Sequence, residues 1–339
     1  MSSVLFESDS VQRIGNQAVW LVFFLLAASC SQQPERSSVE KPAQRQELAA
    51  TMPRRIHSQH LPNAHRLNAK VISGGQPDGE SAFAELKKLG VKTVISVDGA
   101  RPEVALARKY GLRYVHLPHG YDGIPDARAM DLAKAVRDLP GPIYIHCHHG
   151  KHRSPAAAVV ACVAVGMLEP RQAVDFLRLA GTSEKHRGLY ESAERAQRLE
   201  SSLLDALDAD FPESAQLPPL AESMVAIEHV HDHLTILAKA GWRPTADHPD
   251  LKPAHEALLL REHFTELLRT EAVMAQPDEF RRMIHDSAAA ARELETVLEA
   301  GDQGRSWMPR AQAAFERITA HCTTCHTRFR DVPLSEKQP

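Results

Sequence analysis

Pro142-Ile143-Tyr144-Ile145-His146-Cys147-His148-His149-Gly150-Lys151-His152-Arg153-Ser154, followed by the apolar run Pro155 to Val165, reads as strand, tight loop and helix. A loop of this kind turns successive backbone N–H groups inward and ends at a helix N-terminus, which together make an anion site. Arg153 stands six positions after Cys147 and can close over the same anion with a bidentate fork that lysine cannot form. A thiol in that field is expected to ionise, and the chemistry implied is nucleophilic attack on phosphorus. The bland alternative is a core cysteine beside a basic surface loop. It would need the strand, the spacing, Gly150, Arg153 and Ser154 to coincide by chance.

Upstream, strands and helices alternate. Val71 to Pro77 reads as a strand running into a turn, and an amphipathic helix through Phe83, Leu86 and Leu89 ends at Gly90. Val91 to Val97 is a β-branched strand, Glu103 to Tyr110 a helix and Leu112 to Leu117 a further strand. Further helices are expected through Val174 to Leu179 and Tyr190 to Leu204. This alternation predicts an α/β domain with a mostly parallel sheet flanked by helices, over residues 65–204. The loop at Cys147 then lies at a strand's carboxyl end, where such sheets bind ligands.

His-Cys-x5-Arg-Ser resembles the active-site loop of the cysteine-dependent protein tyrosine and dual-specificity phosphatases. The Gly150-Lys151-His152-Arg153 core is similar to the plant-and-fungal atypical dual-specificity group, several of which act on inositol pyrophosphates. The resemblance implies that Cys147 attacks, that Arg153 and the loop residues His148, His149, Gly150, Lys151 and His152 hold the phosphoryl oxygens, and that Ser154 assists departure of the sulfur. It further implies an aspartic general acid on the loop before the helix that precedes the active-site strand. In Asp122-Gly123-Ile124-Pro125-Asp126 that acid is assigned to Asp122, with Asp126 better suited to capping the helix through Met130 to Leu139. Lys151 and His152 face a second phosphate or an acidic headgroup, or else form a solvated rim.

The whole chain has 339 residues, a net charge of -3 and no polybasic block, so nucleic acid is not a favoured partner. Of its five cysteines, Cys162 is flanked by Val159, Val160 and Val163 and reads as a small core hydrophobe. Val19 to Ala28 is too short to span a bilayer but suits a signal-peptide core, so residues 1–30 are expected to be an export signal. Ala27-Ala28-Ser29-Cys30 resembles a bacterial lipoprotein cleavage box, which would make Cys30 a lipid anchor; simple cleavage is the alternative. The implied location is the periplasm, or the periplasmic face of a bacterial membrane. Residues 31–64 are Ser-, Gln-, Glu- and Pro-rich and read as a disordered tether; residues 205–219 contain prolines and read as a linker.

Beyond Leu220 the strand signals vanish. Helical stretches at about 220–240, 253–272, 278–300 and 306–331 predict an all-α four-helix bundle over residues 220–333, with 334–339 as a tail. The last stretch holds Cys322-Thr323-Thr324-Cys325-His326, the attachment signature for haem c. Two thiols for covalent attachment and one axial imidazole then share a helix face. The segment resembles the cytochrome c′ and cytochrome c556 family, which implies haem c as cofactor, His326 as axial ligand, Met224 as a distal ligand or wall, and a homodimer through the bundle. A zinc site and a redox dithiol are the alternatives, and His229, His231 and His233 read as surface residues. The combined expectation is an exported phosphatase fused to a haem domain that senses or transfers electrons. Its rivals are a haem carrier or sensor whose phosphatase fold only binds phosphate, and an enzyme acting on inositol polyphosphates or lipid headgroups rather than phosphoproteins.

Overall fold

The apolar residues of the α/β region alternate along each strand, and the alternation sorts them onto two faces of one sheet. In the computed structural model, which describes residues 53–301 and 307–337, strands β1 (Arg54–Arg55), β2 (His65–Arg66), β3 (Val71–Gly75), β4 (Thr93–Ser96), β5 (Arg113–His116) and β6 (Ile143–Cys147) form a sheet in the order β1-β2-β3-β6-β4-β5. Strands β3, β6, β4 and β5 run parallel, and β1 and β2 add an antiparallel edge. Val71, Ile95, Val115, Ile143 and Ile145 face one core, and Ile72, Val94, Tyr114 and Tyr144 face the other. The mostly parallel sheet flanked by helices is therefore as expected.

The helices of this domain are α1 (Gly79–Lys88), α2 (Val104–Lys109), α3 (Asp126–Asp138), α4 (Arg153–Ala164), α5 (Pro170–Leu179), α6 (Arg187–Glu194) and α7 (Ser201–Ala206). Every residue of α4 is buried, and its alanines let it lie close to both β6 and α3. Cys162 within it is fully buried and its thiol is pushed up to about 12 by that burial, in keeping with a core role. A central helix this enclosed gives the Cys147 loop a fixed end.

Three boundaries differ from expectation. The sheet begins at Arg54, because Arg54 pairs with Arg66 and Arg55 with His65, so residues 54–64 belong to the domain and not to a tether. Residues 207–218 are a docked strap rather than a free linker: the Pro212 carbonyl accepts from the N–H of His116 on the edge strand β5 at 2.8 Å, and Ala215 N–H donates to His116 Nδ1 at 3.0 Å. Covering that edge removes an open ladder. The tail is also docked, since Arg187 of α6 forms a bidentate pair with Glu336 and Ser335 donates to Glu191 at 2.6 Å. The export segment, Cys30 and residues 31–52 of the expected tether lie outside the described residues, as do residues 338–339.

After Pro218 come α8 (Pro219–Lys239), α9 (Pro253–Leu267), the short α10 (Glu271–Met274), α11 (Asp278–Ala300) and α12 (Trp307–Cys325). The four long helices share one apolar core that includes Leu234, Leu260, Phe264, Leu294 and Ile318, consistent with the expected bundle. The last element departs from the expected single helix to Asp331: regular winding stops at Cys325 and a π-helical turn, His326–Arg330, follows. Such turns add one residue without breaking the helix and re-aim the side chains that follow. Among the described residues no helix is long and apolar enough to cross a membrane.

Candidate active site

The loop between β6 and α4 is shaped by where its carbonyl groups go. The carbonyl of His148 accepts from Gln76 N–H at 3.0 Å, that of Gly150 from Asn63 Nδ2 at 2.9 Å, and that of Lys151 from Thr182 Oγ1 at 2.6 Å. A trans peptide points its N–H opposite to its carbonyl, so anchoring these three oxygens outward turns the amides of His149, Lys151 and His152 toward the loop interior. Amides turned inward in this way are able to hold an anion. The loop's anchors Asn63 and Thr182 were not foreseen, because they lie far off in the chain and their side chains read as ordinary polar surface. Asn63 also donates to the Ala180 carbonyl at 2.8 Å, tying the loop to the end of α5.

Gly150 has φ +71°, and a Cβ there would sit 2.3 Å from Gly75 N and 2.5 Å from the Gly74 carbonyl carbon. The Gly74-Gly75 pair at the end of β3 and Gly150 thus fit backbone against backbone. Gly150→Ala is expected to displace the cradle and lower phosphate release by about 10²-fold, the cost of misplacing reacting groups by roughly an ångström. Steady-state turnover beside a thermal melt checks this, since a fold-wide collapse would show in the melt.

Cys147 ends β6 and is 3% exposed. Its Sγ lies 3.3 Å from Ser154 Oγ, which also donates to the Gly74 carbonyl at 2.9 Å. With that proton directed to the Gly74 carbonyl, the Ser154 oxygen is left to accept from the Cys147 thiol. Arg153 is buried and leaves Nε without a partner, while its guanidinium lies 4.5 Å from the centre of the Tyr121 ring. Arg330 reaches the same ring at 4.1 Å. Tyr121 thus stands between Arg153 and the segment following the Cys-x-x-Cys-His motif.

The remaining loop residues separate. His148 Nε2 pairs with Asp232 of α8 at 3.0 Å, and this hydrogen bond raises the imidazole above its ordinary value against the opposing effect of burial. His149 packs against His148 with ring centres 4.3 Å apart and the rings tilted, and is lowered by burial, then by the neighbouring imidazole. His152 packs against His186 at 4.6 Å and is lowered to about 4, mainly by burial. Lys151 is exposed at the rim.

Asp122 follows Tyr121, but its carboxylate pairs with Lys337 of the tail at 2.5 Å, and its carbonyl accepts from Leu334 N–H at 2.9 Å. The structure gives it a partner the sequence did not suggest. Asp126 differs from its expected capping role: Pro125 occupies the N-cap and no side-chain cap bond forms, so Asp126 contributes only a favourable charge in the first turn.

In the helical domain, Cys325 is buried against the apolar core, and Met224, Cys322 and Phe329 pack on the same core. Burial pushes the Cys322 thiol up to about 11 and also raises Cys325. It lowers His326 to about 4, with Arg330 contributing next. Two neutral thiols and a neutral imidazole suit thioether formation and an axial nitrogen ligand, so the donor set fits haem c. The same donor types also serve zinc, and among the described residues no cluster of three or more metal-ligating side chains occurs. His229 is exposed as expected, whereas His231 stacks on Phe315 at 4.9 Å and His233 pairs with Glu256 at 2.9 Å, so these two link helices.

An α/β domain with a cysteine at a strand's end, inward amides and a buried arginine six residues on has the make-up of a cysteine-dependent phosphate-handling domain. The comparisons point the same way. The chain is 26% identical over 127 residues to the dual specificity protein phosphatase TpbA of Pseudomonas aeruginosa, covering 36% of this chain and 56% of that protein. It is 31% identical over 114 residues to the mouse protein tyrosine phosphatase type IVA 2, covering 32% of this chain and 65% of that protein. The crystal structure of P. aeruginosa TpbA aligns with a TM-score of 0.37 at 22% identity, covering 44% of this chain and 92% of that one. No protein-family model matches the chain. The curated relatives are thus dual-specificity and tyrosine phosphatases, of which the chain spans between half and two thirds.

Proposed function

We propose that this chain is a phosphomonoesterase working through a phosphocysteine at Cys147. The observation that carries the reading is the anchoring of the His148, Gly150 and Lys151 carbonyls away from the loop, which leaves preorganised amides and Arg153 around the sulfur. Such donors stabilise the phosphoryl oxygens as charge develops and cost no reorganisation. Cys147 attacks phosphorus in line with the departing ester oxygen. Asp122 supplies that oxygen's proton, which requires its pair with Lys337 to part, and the same carboxylate then activates the water that hydrolyses the phosphocysteine. Ser154 Oγ, 3.3 Å from the sulfur, donates to it as it leaves, once its proton turns from the Gly74 carbonyl.

The reading extends to a haem c carried by the helical domain on Cys322 and Cys325, with His326 as axial ligand and Met224 on the distal side. When bound, the haem would supply one-electron redox chemistry or ligand sensing. Since such attachment takes place outside the cytoplasm, the export signal and Cys30 suit a periplasmic or membrane-anchored protein. Protein from a host that matures c-type haem is expected to show a Soret band that stays with the chain on denaturation. Cys322→Ala with Cys325→Ala is expected to lose it. Wild-type protein with no Soret band after such expression would remove the haem from this account.

A further inference from the structure

A polar cleft beside the phosphate cradle is lined by Asp98, His148, Arg153, Glu228, His229 and Asp232, among others. Its walls come from three places: the turn after β4, the Cys147 loop, and α8 of the helical domain. Two buried polar atoms within it lack partners, Arg153 Nε and Asp98 Oδ2, on side chains that are 8% and 2% exposed. Asp98 is otherwise held by Ala100 N–H, which donates to Oδ1 at 2.7 Å, so its second oxygen is free to meet a ligand. Glu228 and Asp232 stand one helical turn apart on α8 and share a face. Asp232 is matched by His148.

A phosphoryl dianion bound at the loop takes up the charge of Arg153. Asp98 and Glu228 then face the substrate with the cleft's arginine already engaged. A second phosphate at that place would meet two carboxylates, whereas an ammonium or guanidinium would be held by them. We infer that α8 and Asp98 make this a site for phosphomonoesters carried beside a positive charge, such as a phosphorylated residue flanked by lysine or arginine, and against polyphosphorylated substrates. The inference rests on the phosphatase reading and names its substrate class. It makes the helical domain part of the substrate cleft.

The test compares kcat/KM for two phosphotyrosine peptides that differ only in having lysine or glutamate flanks, together with inositol hexakisphosphate. Wild type is expected to favour the lysine-flanked peptide by about tenfold, the size that an exposed carboxylate, Glu228, and a buried one, Asp98, supply together. Glu228→Gln and Asp98→Asn should each reduce that ratio by about threefold, and 1 M NaCl should reduce it as well, changes that loss of mere packing would not produce. Equal turnover of both peptides, preference for the glutamate-flanked peptide or the inositol phosphate, or a ratio unmoved in both variants would overturn the inference while leaving the phosphatase reading intact. Should wild type release no phosphate, the phosphatase reading itself fails. The Cys147→Ser protein titrated with both peptides then reads the charge preference by binding alone, and equal or absent binding overturns the inference too.

Discussion

Replacing Cys147 by serine is expected to lower phosphate release from an aryl phosphate by at least about 10³-fold while leaving phosphate binding in place. The asymmetry follows from the division of labour in the loop. The sulfur forms the covalent bond, whereas affinity comes from amides whose carbonyls are tied to Gln76, Asn63 and Thr182 and from the Arg153 guanidinium. Serine is nearly the same size, keeps a contact to Ser154 Oγ and removes only the nucleophile. Arg153→Lys should act in the opposite sense: it keeps the charge but loses the fork, so phosphate affinity and turnover should fall together, by about 10²-fold or more in turnover. Phosphate-release kinetics on both variants, paired with calorimetric titration of inorganic phosphate, separate these outcomes. Turnover by Cys147→Ser near the wild-type rate would show that this sulfur is not the nucleophile.

The central sheet was legible because its strands are β-branched runs bounded by glycine and proline. Expected and observed limits differ there by a residue or two, as for Val91 to Val97 against Thr93–Ser96. The edge ribbon was not, since Arg54-Arg55 and His65-Arg66 are two-residue polar strands with no periodicity to read. The site divides in the same way. Cys147, Arg153 and Ser154 were visible because their spacing is local, held within one loop and one helix turn. The residues that shape the loop or cover it come from elsewhere: Asn63 bonds to Gly150 across 87 positions, Asp232 to His148 across 84, and Lys337 to Asp122 across 215. Charge and polarity identify such residues as surface groups in sequence, and only the packing of α8 and the tail against the α/β domain gives them partners. That packing also explains why Asp122, placed by resemblance, proves to be ion-paired.

Lowering the pH from 6.5 to 4 is expected to remove about 5 kcal/mol of stability through His146 and His119 of the α/β domain. His146, next to Cys147, is 2% exposed and held to about 4; His119, beside the Tyr121-Asp122 loop, is 9% exposed and held to about 3. Burial is the leading cause for both. His146 Nε2 meets the Tyr114 hydroxyl at 2.5 Å, and His119 Nδ1 donates to the Gly120 carbonyl at 2.9 Å, so each ring is placed as a neutral group. In the unfolded chain both take up a proton near 6.5, and in the folded chain they do so only below about 4 and about 3. The unfolded state therefore binds more protons across this window. Stability is complete above pH 6.5 and declines by about 1.4 kcal/mol per pH unit for each ring until its folded-state value is reached. His148 runs the other way, because its pairing with Asp232 raises it, but it is one partly exposed group against two buried ones. A loss of about 5 kcal/mol is comparable with the whole stability of a marginal domain. Denaturant melts at pH 7.5, 5.5 and 4.5 should show the midpoint falling steeply, and His119→Gln should flatten the fall in part, since His146, His152 and His326 are lowered as well. A midpoint independent of pH over that range would mean that these imidazoles are not buried as neutral groups, and the packing behind the Cys147 loop would have to be redrawn.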